Sequence, residues 1–446
     1  MKKILFLCCM LFCFMSCGEK QVTMNDLKKK GNIYQYKDAP YTGTVSSYGK
    51  DGTVKTTSSF SNGLLDGTKT VFHPNGEKKT ELSYADGVAF GKSTHWYENG
   101  TVQKEEYFDG EGKRKIERIV YFESSNKKME IKANPAEEGH FIKQEWFDTE
   151  NNQMKSYMSL ATDKKTKHGK YETWYENGQQ KEKSLFENGK YIGERLIWYE
   201  NGKQKLKEFY VSPGILDGKK EVWYEDGTVR GTEISEKGVK RKQDAWHENG
   251  KKKLEREFNE SGVQIGTEAS YWDNGTIKVQ RSFDEYGKKH GKEELFYENG
   301  VKQRETSFVN GNEGLNYKEW YKDGNKKVEK SMDDNNNGFI KIFFKNGNLK
   351  KQENYKDGFL DGKLVEYHNS GKMAKEENYV RGKRQGKTTY WYDTGMVKSE
   401  SDFKDDKRIG EPTRYDENGK IIKTKAKPAP KKKTKPKAKK KPKAKK

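Results

Sequence analysis

Cysteine is nearly absent from this sequence, and the few cysteines that it has lie together at the start. They are Cys8, Cys9, Cys13 and Cys17. The rest of the chain can therefore contain neither a disulfide bond nor a metal site built from cysteine thiolates. Packing, hydrogen bonds and charge pairs must hold that part of the chain together.

Hydrophobic residues are also scarce, at 31% of the chain, whereas charged residues make up 35%. With so little apolar material, the thick core of a large globular domain is hard to build. Aromatic residues nevertheless reach 13%, which is too many for a disordered chain. This composition favours a thin, extended structure in which aromatic side chains carry the packing.

Acidic residues are absent from the C-terminal end, where residues 420–446 contain fifteen lysines. The formal net charge of +21 is concentrated there, and the repetitive body is close to balanced. Residues 423–446 consist only of Lys, Ala, Pro and Thr, so we expect a disordered, extended tail. We predict that the tail binds an anionic polymer, namely lipid, lipopolysaccharide, wall polymer or nucleic acid; the alternative is a solubilising end. The lysines expected to do so include Lys431, Lys432, Lys433, Lys439, Lys440 and Lys441.

One short stretch recurs through most of the chain. Trp96-Tyr97-Glu98-Asn99-Gly100 returns at 174–178 and 198–202, with phenylalanine first at 296–300. Looser copies lie at 223–227 and 391–395, and the turns recur about every 24 residues. Such self-similarity is the mark of a repeat array.

All nine tryptophans lie in the aromatic stretch that precedes the turn of this repeat. We therefore expect them to line one continuous packed face rather than separate sites. The predicted packing ladder comprises Trp96, Trp174, Trp198, Trp223, Trp320 and Trp391.

Each repeat has two segments with the alternation of a β-strand. Tyr171, Thr173 and Tyr175 alternate with Lys170, Glu172 and Trp174. The following Asn177-Gly178 then predicts a hairpin with a type I′ turn. A second, wider turn is expected at residues 188–193. The prediction is an all-β fold, an elongated repeat array of antiparallel β-hairpins. It would form a twisted, solenoid-like meander of about 16 units of about 24 residues.

The N-terminus has the pattern of a signal peptide. Lys2 and Lys3 precede an apolar run of residues 4–15, which is too short to span a membrane. Residues 14–18 resemble the cleavage box of bacterial lipoproteins, which implies acylation of Cys17 and membrane attachment through it. The alternatives are a signal peptide without lipid or a chance apolar start. The expected layout is signal peptide 1–16, tether 17–32, repeats 33–422 and tail 423–446.

The recurring aromatic-Tyr-Glu-Asn-Gly stretch, the later Gly-x-x-x-Gly and the opening Tyr41-Thr42-Gly43 resemble the bacterial MORN-repeat variant. The resemblance covers residues 33–422 and implies a fold of β-hairpins. Many proteins with these repeats belong to the YwqK-type toxin–antitoxin antitoxin family. Eukaryotic MORN proteins are linked to membranes and scaffolding, but their Gly-x-Gly core is missing from these units.

The sequence does not match known motifs for nucleotide or calcium binding. The segments 87–93 and 382–388 have three residues between their glycines, whereas a phosphate-binding P-loop needs four. Asp333 begins a calcium-loop pattern, but Phe344 stands at its acidic twelfth position. The seven histidines are scattered, several where the repeat allows tyrosine. Charges alternating along strands indicate a solvated face and its cross-strand pairs.

These observations predict a non-enzymatic protein without a cofactor. We expect a lipoprotein of the bacterial cell envelope, at the outer membrane, whose repeat surface is a scaffold for a protein or glycan partner. One alternative is an antitoxin-type protein that neutralises a toxin by direct binding. The other is an enzyme whose site is assembled across units.

Overall fold

The computed structural model describes residues 21–422 and is almost entirely β-structure. Within that range it has thirty-seven strands, and the only helix is a single 3₁₀ turn at Met24–Asp26. The chain divides into two units, the first ending at Gly250 and the second starting at Lys251. The predicted all-β class is confirmed.

The strands of both units are short, mostly six to nine residues. Those of the first unit are β1 (Lys28–Lys30), β2 (Ile33–Tyr36), β3 (Ala39–Pro40), β4 (Gly43–Tyr48), β5 (Val54–Ser61), β6 (Leu64–Phe72), β7 (Lys78–Ala85), β8 (Val88–Trp96), β9 (Val102–Phe108), β10 (Arg114–Tyr121), β11 (Lys127–Ala133), β12 (Phe141–Trp146), β13 (Met154–Leu160), β14 (Lys167–Trp174), β15 (Gln180–Glu187), β16 (Lys190–Trp198), β17 (Gln204–Ser212), β18 (Ile215–Leu216), β19 (Gly218–Trp223), β20 (Val229–Glu236) and β21 (Val239–Trp246). Those of the second unit are β22 (Lys252–Phe258), β23 (Gln264–Tyr271), β24 (Ile277–Phe283), β25 (Lys289–Phe296), β26 (Lys302–Val309), β27 (Asn312–Trp320), β28 (Lys326–Met332), β29 (Gly338–Phe343), β30 (Leu349–Lys356), β31 (Phe359–Leu360), β32 (Gly362–Tyr367), β33 (Met373–Val380), β34 (Lys383–Arg384), β35 (Gly386–Trp391), β36 (Val397–Lys404) and β37 (Lys407–Arg414).

Each unit is a meander of antiparallel strands. From β4 to β21, every long strand pairs with the next long strand of the chain, as β14 does with β15 and β15 with β16. The second unit repeats this order from β22 to β37. A small separate sheet of β1, β2 and β3 precedes the first meander. The predicted array of antiparallel hairpins is therefore confirmed.

The turn that follows each motif tyrosine differs from the prediction. Gly178 donates its amide to the carbonyl oxygen of Tyr175 at 3.0 Å, and Tyr175 donates its amide to Gln179 at 2.9 Å. Gly178 has a φ of +86°, but Asn177 has no positive φ. A type I′ turn needs positive φ at both central residues, so the prediction is wrong. The loop is a type I turn closed by a glycine bulge.

The second turn of the repeat is the one with type I′ geometry. Glu187 ends β15 and Lys190 begins β16, which leaves only Asn188 and Gly189 between the strands. Their φ values are +49° and +80°. The turn expected to be wider is thus a two-residue hairpin, and Gly193 lies within β16.

Two degenerate repeats in the first unit keep the turn geometry without glycine. The turn expected at Asn126 lies at Ser125, which has a φ of +71° and donates its amide to Phe122 at 3.0 Å. Asn152 takes the glycine place as expected, with a φ of +46°. The hydrogen bonds of the turn therefore persist after its sequence signature has decayed.

Candidate functional site

The motif tyrosine connects each repeat to the following one. Tyr175 donates its hydroxyl to the carbonyl oxygen of Trp198 at 3.0 Å, and Tyr199 donates to that of Trp223 at 2.8 Å. The same bond joins Tyr97 to Tyr121, Tyr224 to Trp246, Tyr297 to Trp320, Tyr321 to Phe343 and Tyr392 to Tyr415. This tyrosine ladder satisfies a strand-end carbonyl in the neighbouring repeat.

The motif asparagine makes a second link between repeats. Asn177 accepts the amide of Gln179 on its side-chain oxygen at 2.9 Å and donates its side-chain amide to the Glu200 carbonyl at 3.0 Å. Asn201 bonds Lys203 and Glu225 in the same way. The side chain thus fixes its own turn and holds the next one, which explains why asparagine recurs without type I′ geometry.

The predicted tryptophan ladder occupies one equivalent place in the structure. Each of its tryptophans is the last residue of a strand and is half-buried. Among residues 21–422, ring-to-ring contacts join tyrosine, phenylalanine and histidine, as between Phe186 and Tyr191 at 4.4 Å, but no two tryptophans. The carbonyls of Trp198, Trp223 and Trp320 accept hydrogen bonds from the tyrosine ladder, while a role of the tryptophans as one packed face stays a prediction. The members of the set are Trp96, Trp174, Trp198, Trp223, Trp320 and Trp391.

A buried carboxylate that sequence reasoning missed lies at the centre of the first unit. Glu208 is only 2% exposed. It accepts hydrogen bonds from Arg195 at 2.8 Å and Tyr210 at 2.9 Å, and it pairs with Lys220 at 3.1 Å. Arg195 also donates to Glu182 at 2.9 Å. The expected cross-strand pairing is confirmed, since Arg195 lies opposite Glu208, but the expected solvated face is wrong here, because the strand points Glu208 inward.

This network shifts the ionisation of its members. Burial opposes the charged form of Glu208, but hydrogen bonds from Arg195 and the charge of Lys220 outweigh it and hold the carboxyl pKa below its ordinary value. Burial, reinforced by the charge of Glu182, raises the pKa of Tyr191 to about 12. The carboxylate of Glu208 is therefore charged at neutral pH and is compensated by Arg195 and Lys220.

The second unit contains an equivalent network around Glu377, also 2% exposed. It pairs with Lys375 at 2.9 Å and Arg384 at 3.5 Å, and Tyr379 donates a hydrogen bond to it at 2.9 Å. Burial, followed by the bond to Glu377, raises the pKa of Tyr379 to about 12. Both networks join a carboxylate, two cations and a tyrosine, an arrangement that stabilises a fold.

An exposed row of apolar side chains lies on the opposite face of three consecutive repeats. Leu185, Phe209 and Ile234 are 46%, 49% and 41% exposed. Each is eleven residues beyond a strand-ending tryptophan. Because successive strand residues face opposite sides, their exposure follows from the burial of neighbours such as Ser184 and Glu208. We call Leu185, Phe209 and Ile234 the outer apolar row.

The same position is polar throughout the second unit. There Asn354 donates its side-chain amide to the Lys363 carbonyl at 2.6 Å, and Asn378 donates to the Lys387 carbonyl at 3.0 Å. These side chains are bonded to their own sheet, whereas those of the outer apolar row face solvent. The residues at this position in the second unit are Glu257, Ser282, Ser307, Ser331, Asn354, Asn378 and Asp402.

The motifs that resembled nucleotide and calcium sites are turns and strands. Ser93 and Thr388, at the ends of the P-loop-like segments, are buried at 4% and 2% exposure. The carboxylate of Asp333 accepts hydrogen bonds from the backbone amides of Asn335 at 2.9 Å and Asn337 at 2.8 Å. It is therefore engaged in its own turn. The interpretation of these segments as parts of the repeat is confirmed.

Two histidines replace the ladder tyrosine, as expected. Nε2 of His73 lies 2.9 Å from the carbonyl oxygen of Trp96, and Nε2 of His368 lies 3.0 Å from that of Trp391. His140 and His168, by contrast, are not scattered. Their rings lie with centroids 5.0 Å apart, although 28 residues separate them in sequence.

The predicted lipid attachment residue Cys17 and the tail lysines lie outside the described residues. Those lysines are Lys431, Lys432, Lys433, Lys439, Lys440 and Lys441. Between residues 21 and 422, no helix has the length and apolar character that crossing a membrane requires.

Comparison with known proteins supports the identity of the repeat. Seven segments, together about a third of the chain, match the model of the MORN repeat variant. They are residues 65–86, 91–109, 167–190, 289–310, 340–357, 360–381 and 384–405. Among proteins of curated function, none matches this sequence.

Several solved structures resemble parts of the chain at low identity. The crystal structures of TcdB2-TccC3-TEV and TcdB2-TccC3-Cdc42 are 11% and 10% identical over 87% of this chain. The structure of a mutant Photorhabdus luminescens Tc holotoxin pore is 11% identical over 87%. This chain covers only 24%, 28% and 24% of those chains, with TM-scores of 0.15, which support no structural or functional argument. The similarity that the chain shows is therefore to the MORN repeat variant, in seven of its segments.

Proposed function

We propose that this protein is a non-enzymatic binding scaffold that docks a protein partner on the outer apolar row. Leu185, Phe209 and Ile234 carry the proposal, because each is more than 40% exposed. The equivalent second-unit positions are polar. A row confined to three neighbouring repeats indicates a site rather than a general property of the sheet. The compensated charges of the Glu208 network leave no unpaired acid or base there for catalysis.

The size and surroundings of the row favour a protein over a glycan. Equivalent residues lie two strands apart, so three of them span about 20 Å. Val211, 54% exposed, extends the apolar surface along β17. Charged pairs border it, such as Lys207 with Glu194 at 3.1 Å and Lys219 with Glu221 at 2.6 Å. An apolar centre with a charged rim is the usual anatomy of a protein interface.

Site-directed photo-crosslinking in cells tests the docking face. A photoreactive residue at Phe209 should crosslink to a discrete partner, and one at Asn378 is the matched control. Phe209 and Asn378 occupy equivalent positions, so both probes point away from the inner face. Leu185→Asp introduced beside the Phe209 probe should reduce the crosslink by at least about tenfold, since a buried unpaired charge disrupts an apolar contact.

Equal crosslinking at both positions, or a Phe209 crosslink unaffected by Leu185→Asp, would contradict a specific docking site. Circular dichroism of each variant checks that its sheet remains folded. The identity of the captured partner also separates the scaffold from the antitoxin alternative, because an antitoxin must capture a toxin through this face.

We further propose that acylation of Cys17 holds the scaffold in the bacterial cell envelope, at the outer membrane. More than one acyl chain on one residue is enough for stable anchoring. Labelling with a palmitate analogue should mark the wild-type chain and not Cys17→Ala, with Cys13→Ala as the control. Label that persists in Cys17→Ala would overturn the anchor.

The lysine tail is proposed to bind an anionic polymer without sequence preference. Binding should weaken steeply with salt, because each neutralised phosphate releases a counterion. A chain ending at residue 422 should bind polyphosphate, lipopolysaccharide or DNA more weakly than the full chain. The dependence of its affinity on salt concentration should also be smaller. Unchanged affinity and slope would leave the tail as a solubilising end.

A further inference from the structure

Three metal-ligating side chains meet at one edge of the first unit. His140 directly precedes β12, and His168 is the second residue of β14. Both strands pair with β13, so they are its two flanking neighbours. Glu137 comes from the loop between β11 and β12. Glu137 and His140 lie between the family-matched segments that end at residue 109 and resume at 167, so the repeat pattern does not require these two residues, whereas His168 lies within the matched segment 167–190.

The donor atoms of the three side chains are close together. One ligand atom from each of Glu137, His140 and His168 lies within 4.8 Å of the others. Oε1 of Glu137 is 3.9 Å from Nδ1 of His140 and 3.7 Å from Nε2 of His168. In a tetrahedral zinc site, bonds of 2.0–2.1 Å place donor atoms about 3.3 Å apart. The cluster is thus slightly wider than a bound site, by an amount that side-chain rotation can close.

The loop that carries two of the ligands is fixed by its own hydrogen bonds. Asn134 donates its amide to the carbonyl oxygen of His140 at 2.8 Å, and its side-chain oxygen accepts the amide of Ala136 at 3.1 Å. Nδ1 of His140 lies 3.2 Å from the Glu138 carbonyl oxygen. A metal bound at this nitrogen would replace that contact, so the loop is held in place by the bonds of Asn134.

One atom of the cluster lacks a hydrogen-bond partner. Nδ1 of His168 is buried and unpaired. Glu137 faces the other ring nitrogen, Nε2, so Nδ1 would carry the ring proton when Nε2 binds a metal. The side chains of His140, His168 and Glu137 are 19%, 27% and 43% exposed, so an ion there would remain open to water.

We propose that Glu137, His140 and His168 form a binding site for a divalent transition metal, with zinc the best match. Two imidazoles and a carboxylate suit Zn²⁺ and also Fe²⁺ or Co²⁺, whereas Ca²⁺ and Mg²⁺ prefer oxygen ligands alone. Three protein ligands leave a position for water. The ion links the β11–β12 loop to β14 in the next repeat, where the tyrosine ladder is missing.

Titration calorimetry of the full chain with ZnCl₂ and CoCl₂ tests the site. Wild-type protein should bind one equivalent of either metal, and Co²⁺ should give visible absorption bands of a low-coordinate site. His140→Ala and His168→Ala should each weaken zinc binding by at least about tenfold. His290→Ala removes an exposed histidine outside the cluster and should bind as wild type does.

Glu137→Gln keeps the shape of the side chain, so weaker zinc binding by this variant would not be caused by a folding defect. It should retain the wild-type circular dichroism and metal-free melting curve but bind zinc at least about tenfold more weakly. Zinc should raise the melting temperature of wild type and His290→Ala, and much less that of Glu137→Gln. The proposal would be overturned if wild-type protein did not bind zinc, or if His140→Ala and His168→Ala bound zinc as tightly as wild type.

Discussion

The repeats around Glu208 in the first unit and Glu377 in the second share an inner face and differ on the outer one. Both carboxylates are 2% exposed, and each is held by an arginine, a lysine and a tyrosine. The next residue in the strand of the first unit is the exposed Phe209. The next residue in the strand of the second unit is Asn378, which is hydrogen-bonded to the Lys387 carbonyl of its own sheet. Inner positions therefore determine the fold, while outer positions are free to encode a function.

Removal of the inner carboxylates should have the largest effect on stability. Glu208→Ala and Glu377→Ala each remove a buried carboxylate from two half-buried cations, and each should cost about 3 kcal/mol because the cations keep only weaker or fewer partners. Urea denaturation of the full chain measures both. Glu130→Ala, whose partners Lys127 and Lys132 lie 3.4 and 3.6 Å away, should cost clearly less. A small loss for only one of the two would show that the networks are not equivalent.

The Glu208 network also predicts a pH dependence. The folded-state pKa of Glu208 lies below its ordinary value of 4.5. Its contribution is therefore fully present above that pH and is lost as the pH falls through the folded pKa. Glu208→Gln should lose less stability than wild type over that acid range.

Truncation of the strand-ending tryptophans should have the next largest effect, equal in the two units. Trp198→Ala and Trp391→Ala should each cost about 2–3 kcal/mol, because both side chains are half-buried. The exposed Lys205→Ala should remain within about 0.5 kcal/mol of wild type. Denaturation melts that give the tryptophans the same small effect would favour a binding role for these rings.

Removal of single ladder hydroxyls should have a smaller effect. Tyr199→Phe and Tyr392→Phe each leave a strand-end carbonyl without its donor and should cost about 1 kcal/mol. Hydrogen exchange should accelerate most in the repeat that follows the substitution. Exchange that instead accelerates uniformly across the unit would argue against a local link.

Swapping the residues at the outer position of the two units, Phe209 and Asn378, should barely change the free energy of unfolding. Phe209→Asn and Asn378→Phe should each lie within about 0.5 kcal/mol of wild type by urea melts, since neither alters the inner network. Phe209→Asn should nevertheless abolish partner crosslinking to the first unit. A large destabilisation by Phe209→Asn would show that the row packs within the protein.

The sequence predicts the period, the strand alternation and the hairpins, because the Tyr-Glu-Asn-Gly stretch recurs in register. It does not predict the turn types, since Asn-Gly suits either geometry and the flanking hydrogen bonds decide between them. The inward direction of Glu208 was also missed, because a Lys-Glu strand has the same pattern whether its glutamate faces water or an arginine. His140 and His168 meet only through strand pairing.

The inter-repeat bonds have a direction along the chain. The ladder tyrosines and the motif asparagines donate to a carbonyl of the next repeat, as Tyr175 does to Trp198 and Asn177 to Glu200. During synthesis the hydrogen-bond donors of each repeat have no acceptor until the next repeat has left the ribosome. We therefore expect each repeat to fold stably only after the following repeat has been synthesised. An array shortened at its C-terminal side ends in unused donors, whereas one shortened at its N-terminal side exposes vacant acceptors.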